Sequence, residues 1–116
     1  MGITLQRNMP KIKMRINAGA KLATIAVTEA VIEYGNIFVR VDQGQLRDSA
    51  LISSDPENGK AVWDTIYGKR MYYTGTPSHD KNPQASLMWA EKGVKTYKKE
   101  IDRIAQNAFE KGMNAR

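Results

Sequence analysis

The chain of 116 residues reads as an α+β fold: an N-terminal helix, a small antiparallel sheet of about three strands, and a long C-terminal helix packed on the sheet. Three observations predict it. Ala90, Val94, Tyr97, Ile101, Ile104 and Ala108 step by four and three residues, a heptad seam that Ala105 and Phe109 widen. Leu22, Ala26, Ala30, Tyr34 and Ile37 recur at helical spacing well before it. Between the two, Asp55-Pro56-Glu57-Asn58-Gly59 has the residue order of a hairpin loop and separates two strand-like runs.

Residues 1–16 stand apart as an N-terminal arm, and residues 17–116 form a single domain. In the arm, Ile3, Leu5, Ile12, Met14 and Ile16 alternate weakly around Pro10; an arm, a short edge strand and a frayed terminus all fit. The first helix starts near Asn17, its apolar stripe broadened by Ala23, Val27 and Val31. Gly35-Asn36 can end it, with residues 37–41 as a short strand, or it runs on to Phe38. Asp42-Gln43-Gly44 is a turn, because Asp bonds its own backbone ahead and Gly tolerates positive φ. Residues 46–53 read as a strand. In the hairpin loop, Asp55 and Pro56 suit the first two positions of a type I turn, and Gly59 takes the left-handed position.

Residues 60–67 are the return strand, with Ala61, Trp63 and Tyr67 on one face and Val62 and Ile66 on the other. Gly68 separates it from a third strand at 70–74. A loop at 75–81 leads to Asn82 as N-cap and Pro83 as first helical residue. From there a helix runs to about residue 111, where Gly112 is the stop signal. At 1.5 Å per residue it is roughly 40 Å long, more than a three-stranded sheet can cover, so the surplus implies an intermolecular contact. Gly93 costs about 1 kcal/mol inside such a helix, which implies close packing or a bend there.

Composition narrows the function. Hydrophobic residues at 41% and charged residues at 26% are globular values. The absence of cysteine excludes disulfides, thiolate zinc sites and thiol catalysis. A net charge of +6 permits contact with nucleic acid, and Arg7, Lys11, Lys13 and Arg15 concentrate that charge near the start. No apolar run approaches the roughly 18 residues of a membrane span, and the start has no signal-peptide pattern, so a cytoplasmic place of assembly is expected.

Catalytic chemistry finds little footing. His79 is the only histidine and lies in a Ser/Asp/Lys loop; with Asp80 alone it makes no metal site. Asp42, Asp48, Asp55, Glu57, Asp64 and Asp80 are scattered without acid/base spacing, and Gly68 and Gly75 lack the pattern of a phosphate loop. Neither enzymatic turnover nor a cofactor is expected. Lys69-Arg70-Met71-Tyr72-Tyr73 joins cations to aromatics, as single-stranded nucleic-acid sites do, although a strand with one aromatic buried and its basic neighbours solvated produces the same run. Trp89 suits a core or a subunit interface.

Two segments carry a resemblance. Val41-Asp42-Gln43-Gly44-Gln45-Leu46-Arg47-Asp48-Ser49 resembles the Val-Asp-Thr-Gly-x-Leu-Arg-x-Ser signature of small tailed-phage neck proteins, the minor-capsid or tail-completion (head–tail connector) family. The run from Tyr67 through Tyr73, Gly75-Thr76-Pro77-Ser78-His79, Asn82-Pro83 and Met88-Trp89-Ala90-Glu91-Lys92 is similar to the second half of the same pattern, as are Ile104-Ala105-Gln106 and Phe109. The likeness covers about residues 17–112. Arg40-Val41 stands where the family often has proline before the turn, Thr74 where an acid or amide is common, and Gly93 where a helix former is common.

The resemblance implies a virion structural protein in the neck, assembled in the host cytoplasm as a ring of roughly six or twelve copies. Its neighbours would be portal or connector proteins and tail-terminator or tail-tube proteins, with passing contact to DNA in the channel. Asp42, Gly44, Leu46, Arg47 and Ser49 carry the turn motif. Tyr72, Tyr73, Gly75, Thr76, Pro77, His79, Asn82, Pro83 and Trp89 are the expected interface or docking residues, with the sheet as the surface between subunits. The alternative is a small basic nucleic-acid-binding module that uses Arg70, Tyr72, Tyr73 and the arm.

Overall fold

A computed structural model describes residues 2–39, 45–65, 68–74, 77, 79 and 82–114. The architecture is a long antiparallel helical hairpin with an irregular connection folded against one end. Helix α1 (Gly2–Ile37) is one arm. The other arm is α4 (Trp89–Thr96) followed by α5 (Lys98–Asn114), interrupted only at Tyr97. Short helices α2 (Gln45–Ser53) and α3 (Gly68–Tyr73) lie in the connection. The molecule is elongated, 63 × 25 × 21 Å.

The register of the hairpin follows from where the two arms touch. Arg15 Nε donates to the Met113 carbonyl at 2.8 Å near one end. Tyr34 stacks on Tyr97 toward the other, with ring centroids 4.4 Å apart. Small residues let the backbones meet at two points between and beyond these. A Cβ on Gly112 would sit 2.6 Å from the Ala18 carbonyl oxygen and from the Gly19 Cα. A Cβ on Gly93 would sit 2.8 Å from the Gly35 nitrogen and the Tyr34 carbonyl. Real side chains cannot approach that closely, so glycine is required at both positions. The close packing expected at Gly93 is therefore present, and its partner is α1 of the same chain.

The core lies at the end of the hairpin where the connection folds back. Phe38, Val39, Leu46 and Trp89 are buried together, with Trp63, Met71, Tyr72 and Tyr97 partly buried around them. Trp89, 1% exposed, is the largest side chain fully inside. Burying an aromatic of this size contributes about 3 kcal/mol. Trp63 and Tyr72 meet it edge-on, at centroid distances of 6.2 and 4.6 Å, the arrangement the ring quadrupole favours.

The expected sheet is a correction: the described residues contain helices, and their only β pairing is the isolated Asp55–Lys60 bridge. Residues 46–53 are helix α2, because Leu46, Ser49, Ala50 and Ser53 step by three and four toward the interior. That periodicity competes with the alternation of Leu46, Asp48, Ala50 and Ile52 and prevails. Residues 70–73 belong to α3, where adjacent Met71 and Tyr72 are both partly buried, a pattern alternation does not produce. Residues 61–65 do alternate, with Ala61, Trp63 and Thr65 turned inward and Val62 and Asp64 outward. Among the described residues they have no strand to pair with. Side-chain hydroxyls bond their backbone instead: Ser54 Oγ accepts from the Val62 N–H at 2.8 Å, and Ser49 Oγ accepts from the Asp64 N–H at 3.1 Å.

The helix boundaries also shift. Residues 2–16, read as arm, strand or frayed end, are continuous with α1, whose span includes Pro10 at the loss of one ladder hydrogen bond. Gly35 does not stop the helix, which reaches Ile37. The second arm begins at Trp89 and not at Pro83, and it runs past Gly112 to Asn114. The surplus length of this arm is covered by α1, so it demands no neighbouring molecule. The turn between Asp55 and Lys60 is as expected: Pro56–Asn58 form a 3-10 turn, and Gly59 takes φ +70°.

Candidate docking surface

The turn motif and the docking run are placed around the connection end of the hairpin. Asp42 and Gly44 lie outside the described residues, as do Gly75 and Thr76. Leu46 is buried in the core and Ser49 is buried in α2, donating to the Leu46 carbonyl at 2.7 Å. Arg47 is partly buried, and its Nε has no hydrogen-bonding partner among the described residues. Its carbonyl accepts from Asn36 Nδ2 at 3.4 Å, and Asn36 Oδ1 accepts from Trp63 Nε1 at 2.8 Å. Asn36 thus ties the last turn of α1 to both α2 and the extended segment 61–65.

Asn82 has a different task from the N-cap expected of it. Its side chain is 7% exposed, and Nδ2 donates to the Ile37 and Val39 carbonyls, both at 2.9 Å. The end of α1 leaves carbonyls without helical donors, and Asn82 supplies two bonds to this stretch from across the chain. Its Oδ1 accepts from the Gln84 N–H at 3.0 Å, the local turn that a capping Asn makes. No helix follows directly, because Pro83 and Gln84 form a turn and the chain stays irregular to Leu87.

The aromatics divide between interior and surface. Tyr72 is partly buried, and burial pushes its hydroxyl pKa above the usual 10.0; the bond its oxygen accepts from the Glu91 N–H at 3.4 Å opposes that shift. Its carbonyl accepts from the Met88 N–H at 2.8 Å. Met88 has φ +51°, a left-handed backbone that turns the chain into α4. Tyr73 meets Tyr72 edge-on and is 56% exposed. His79 is exposed and donates from Nε2 to the Ala85 carbonyl at 3.1 Å, so Nε2 carries a proton. Pro83 is exposed and Pro77 partly so.

The seven docking residues that are described therefore do not form one open patch. Asn82 and Trp89 hold the fold together from inside, and Tyr72 braces Trp89. Tyr73, His79 and Pro83 remain available on the surface. Among the described residues no group of three His, Asp or Glu lies close enough to hold a metal ion.

Two surface features were missed by sequence reasoning. Leu51 and Ile52 on α2 are 71% and 84% exposed. The outer side of α4 and the residues before it form an open hollow of about 500 Å³ lined chiefly by Leu87, Met88, Ala90 and Val94. Reading 46–53 as a strand hid the first, and placing Val94 in the helix seam hid the second. The helical steps Leu46, Ser49, Ala50 were the signal that would have turned Leu51 and Ile52 outward.

No protein-family model, curated protein or solved structure matches the chain.

Proposed function

We propose that the chain is a virion structural protein of a tailed phage, one copy of a ring at the head–tail junction. It acts by binding, without turnover. The order of residues through 41–49 and 67–92, which resembles that of small phage neck proteins, carries the reading. The sheet expected as the subunit surface is not part of it. Exposed apolar side chains on α2 and the apolar hollow beside α4 support an assembly role in its place, since both offer apolar surface that a neighbouring molecule can cover. The neighbours are further copies of the chain, a portal or connector protein on the head side, and a tail-terminator or tail-tube protein on the other.

Cryo-electron microscopy of virions made with and without the protein tests this. A ring of density at the neck that disappears with the protein is expected. Virions whose necks are identical in the two preparations would end the idea.

A second reading, a small basic nucleic-acid-binding module, is favoured by one observation. Residues 1–28 hold Arg7, Lys11, Lys13, Arg15 and Lys21 and no acid, so most of the net charge of +6 lies in the part of α1 before Glu29. Tyr72 argues the other way, because its ring is engaged with Trp89 and is not free to stack on a base.

A further inference from the structure

The protrusion on α2 and the hollow beside α4 are both apolar, and exposed charges of opposite sign lie beside them. Leu51 and Ile52 project from the outer side of α2, while Leu46, Ser49 and Ala50 occupy its inner side. Asp48 is exposed one turn before Ile52 and shares its side of the helix. The hollow offers an apolar floor of about 500 Å³, space that a pair of aliphatic side chains can enter. Its rim carries Lys92 and Lys95 against a single acid, Glu91, so it is positive, while Asp48 is the exposed charge beside Ile52 and the α2 cation Arg47 is partly buried. Neither Leu51 nor Ile52 lines the hollow of its own chain.

We propose that α2 of one copy seats Leu51 and Ile52 in the Leu87–Met88–Ala90–Val94 hollow of the next copy, with Asp48 paired to Lys92 and Lys95 across the rim. The proposal rests on the ring reading above and names its subunit contact. Two different patches meet, so the contact is heterologous, and repeated by rotation it closes a ring or propagates a filament. The heterologous contact sets the exposed Asp48 against two exposed lysines, whereas in a symmetric contact between two α2 helices the only cation on offer is the partly buried Arg47. The two side chains are the anchor of a larger interface, since stable contacts bury roughly 1,200–2,000 Å².

The chain has no cysteine, so introduced cysteines report on single contacts. Chains carrying Ile52→Cys are mixed with chains carrying Val94→Cys and oxidised. Both sites are exposed, and circular dichroism confirms that the variants fold. The expected result is a 52–94 disulfide in the mixture and a ladder of multimers from the chain carrying both substitutions. Asp48→Lys lowers the yield by about tenfold, as a rim pair turned repulsive would, and Lys92→Asp with Lys95→Asp restores it. A mixture with no 52–94 disulfide overturns the proposal. So does Ile52→Cys dimerising by itself as readily as in the mixture, or a yield indifferent to Asp48→Lys. The virion experiment fails separately: neck density without a 52–94 link leaves the function standing and removes this contact, and a 52–94 link without neck density does the reverse.

Discussion

Asn82 illustrates how one side chain can hold two parts of this chain together. Its amide donates to the Ile37 and Val39 carbonyls from inside the core. Asn82→Ala leaves both without that donor, at a cost of about 2–3 kcal/mol. For a domain of this size that corresponds to a melting temperature lower by about 10 °C. Asn82→Asp keeps the acceptor for the Gln84 N–H but loses both donors and sets a carboxylate against carbonyl oxygens, so it is at least as damaging. Thermal unfolding followed by circular dichroism measures both, and an unchanged midpoint for Asn82→Ala would refute the clamp. Tyr72 provides a pH readout at the same scale. Its native pKa is raised by burial above the usual 10.0. Between those two values the native state keeps a proton that the unfolded chain has lost. The contribution is therefore fully present below about pH 10 and is lost as pH rises through the native value. Stability measured across the alkaline range should fall more steeply for the wild-type chain than for Tyr72→Phe; parallel curves would rule the effect out.

At the scale of elements, the glycine contacts decide how close the two arms of the hairpin lie. In an isolated helix, Gly93→Ala or Gly112→Ala is favourable by about 1 kcal/mol. In the hairpin the added methyl meets opposing backbone at 2.6–2.8 Å, and backbone cannot step aside as a flexible side chain can. Forcing the arms apart costs about 1–3 kcal/mol and outweighs the propensity gain. The substitutions should thus lower the melting temperature of the protein while raising the helicity of an α4–α5 peptide. The opposite sign in the protein would mean that the arms do not touch there. The same elements show what could be read from sequence. Gly93 signalled a close approach because nothing else recommends glycine inside a heptad seam, and Asp55-Pro56 with Gly59 signalled the turn by its chemistry. Leu46 to Ser53 was not decidable by period, since both alternation and three-four steps fit nine residues; tertiary packing against Trp89 and Val39 selected the helix. Residues 61–65 have the alternation of a strand without a strand beside them, because the hydroxyls of Ser49 and Ser54 already bond two of their backbone N–H groups. Of the docking residues, Tyr73, His79 and Pro83 are as exposed as a polar loop suggests. Trp89 reads as core or subunit interface and Asn82 as a helix cap, and only the fold shows that both are buried.

For the whole molecule the governing feature is the separation of charge from the apolar contact surface. The aromatic core, α2 and the hollow lie toward the connection end, whereas the cations of residues 1–28 lie along the stretch of α1 against which α5, with nearly balanced charge, is packed. The remaining 88 residues hold thirteen basic and twelve acidic side chains, nearly balanced. Such a distribution lets one end attract a polyanion while the other assembles with protein. Binding to duplex DNA through at most five cations is sequence-independent and salt-sensitive, with log Kd changing against log salt by a slope of about 4–5. With so few cations, the isolated chain should bind DNA with a Kd of about 1 μM or weaker at physiological salt, which is all that the proposed place in a neck ring asks of it. Replacing Lys11, Lys13 and Lys21 by Gln should reduce the slope by about 3, while Arg70→Gln leaves it nearly unchanged. Titrations at two salt concentrations decide the matter. Nanomolar binding by the monomer, dependent on Arg70, would move the balance to the nucleic-acid module, because it would require the α3 cation beside Tyr72 and Tyr73 to act together with the basic face of α1.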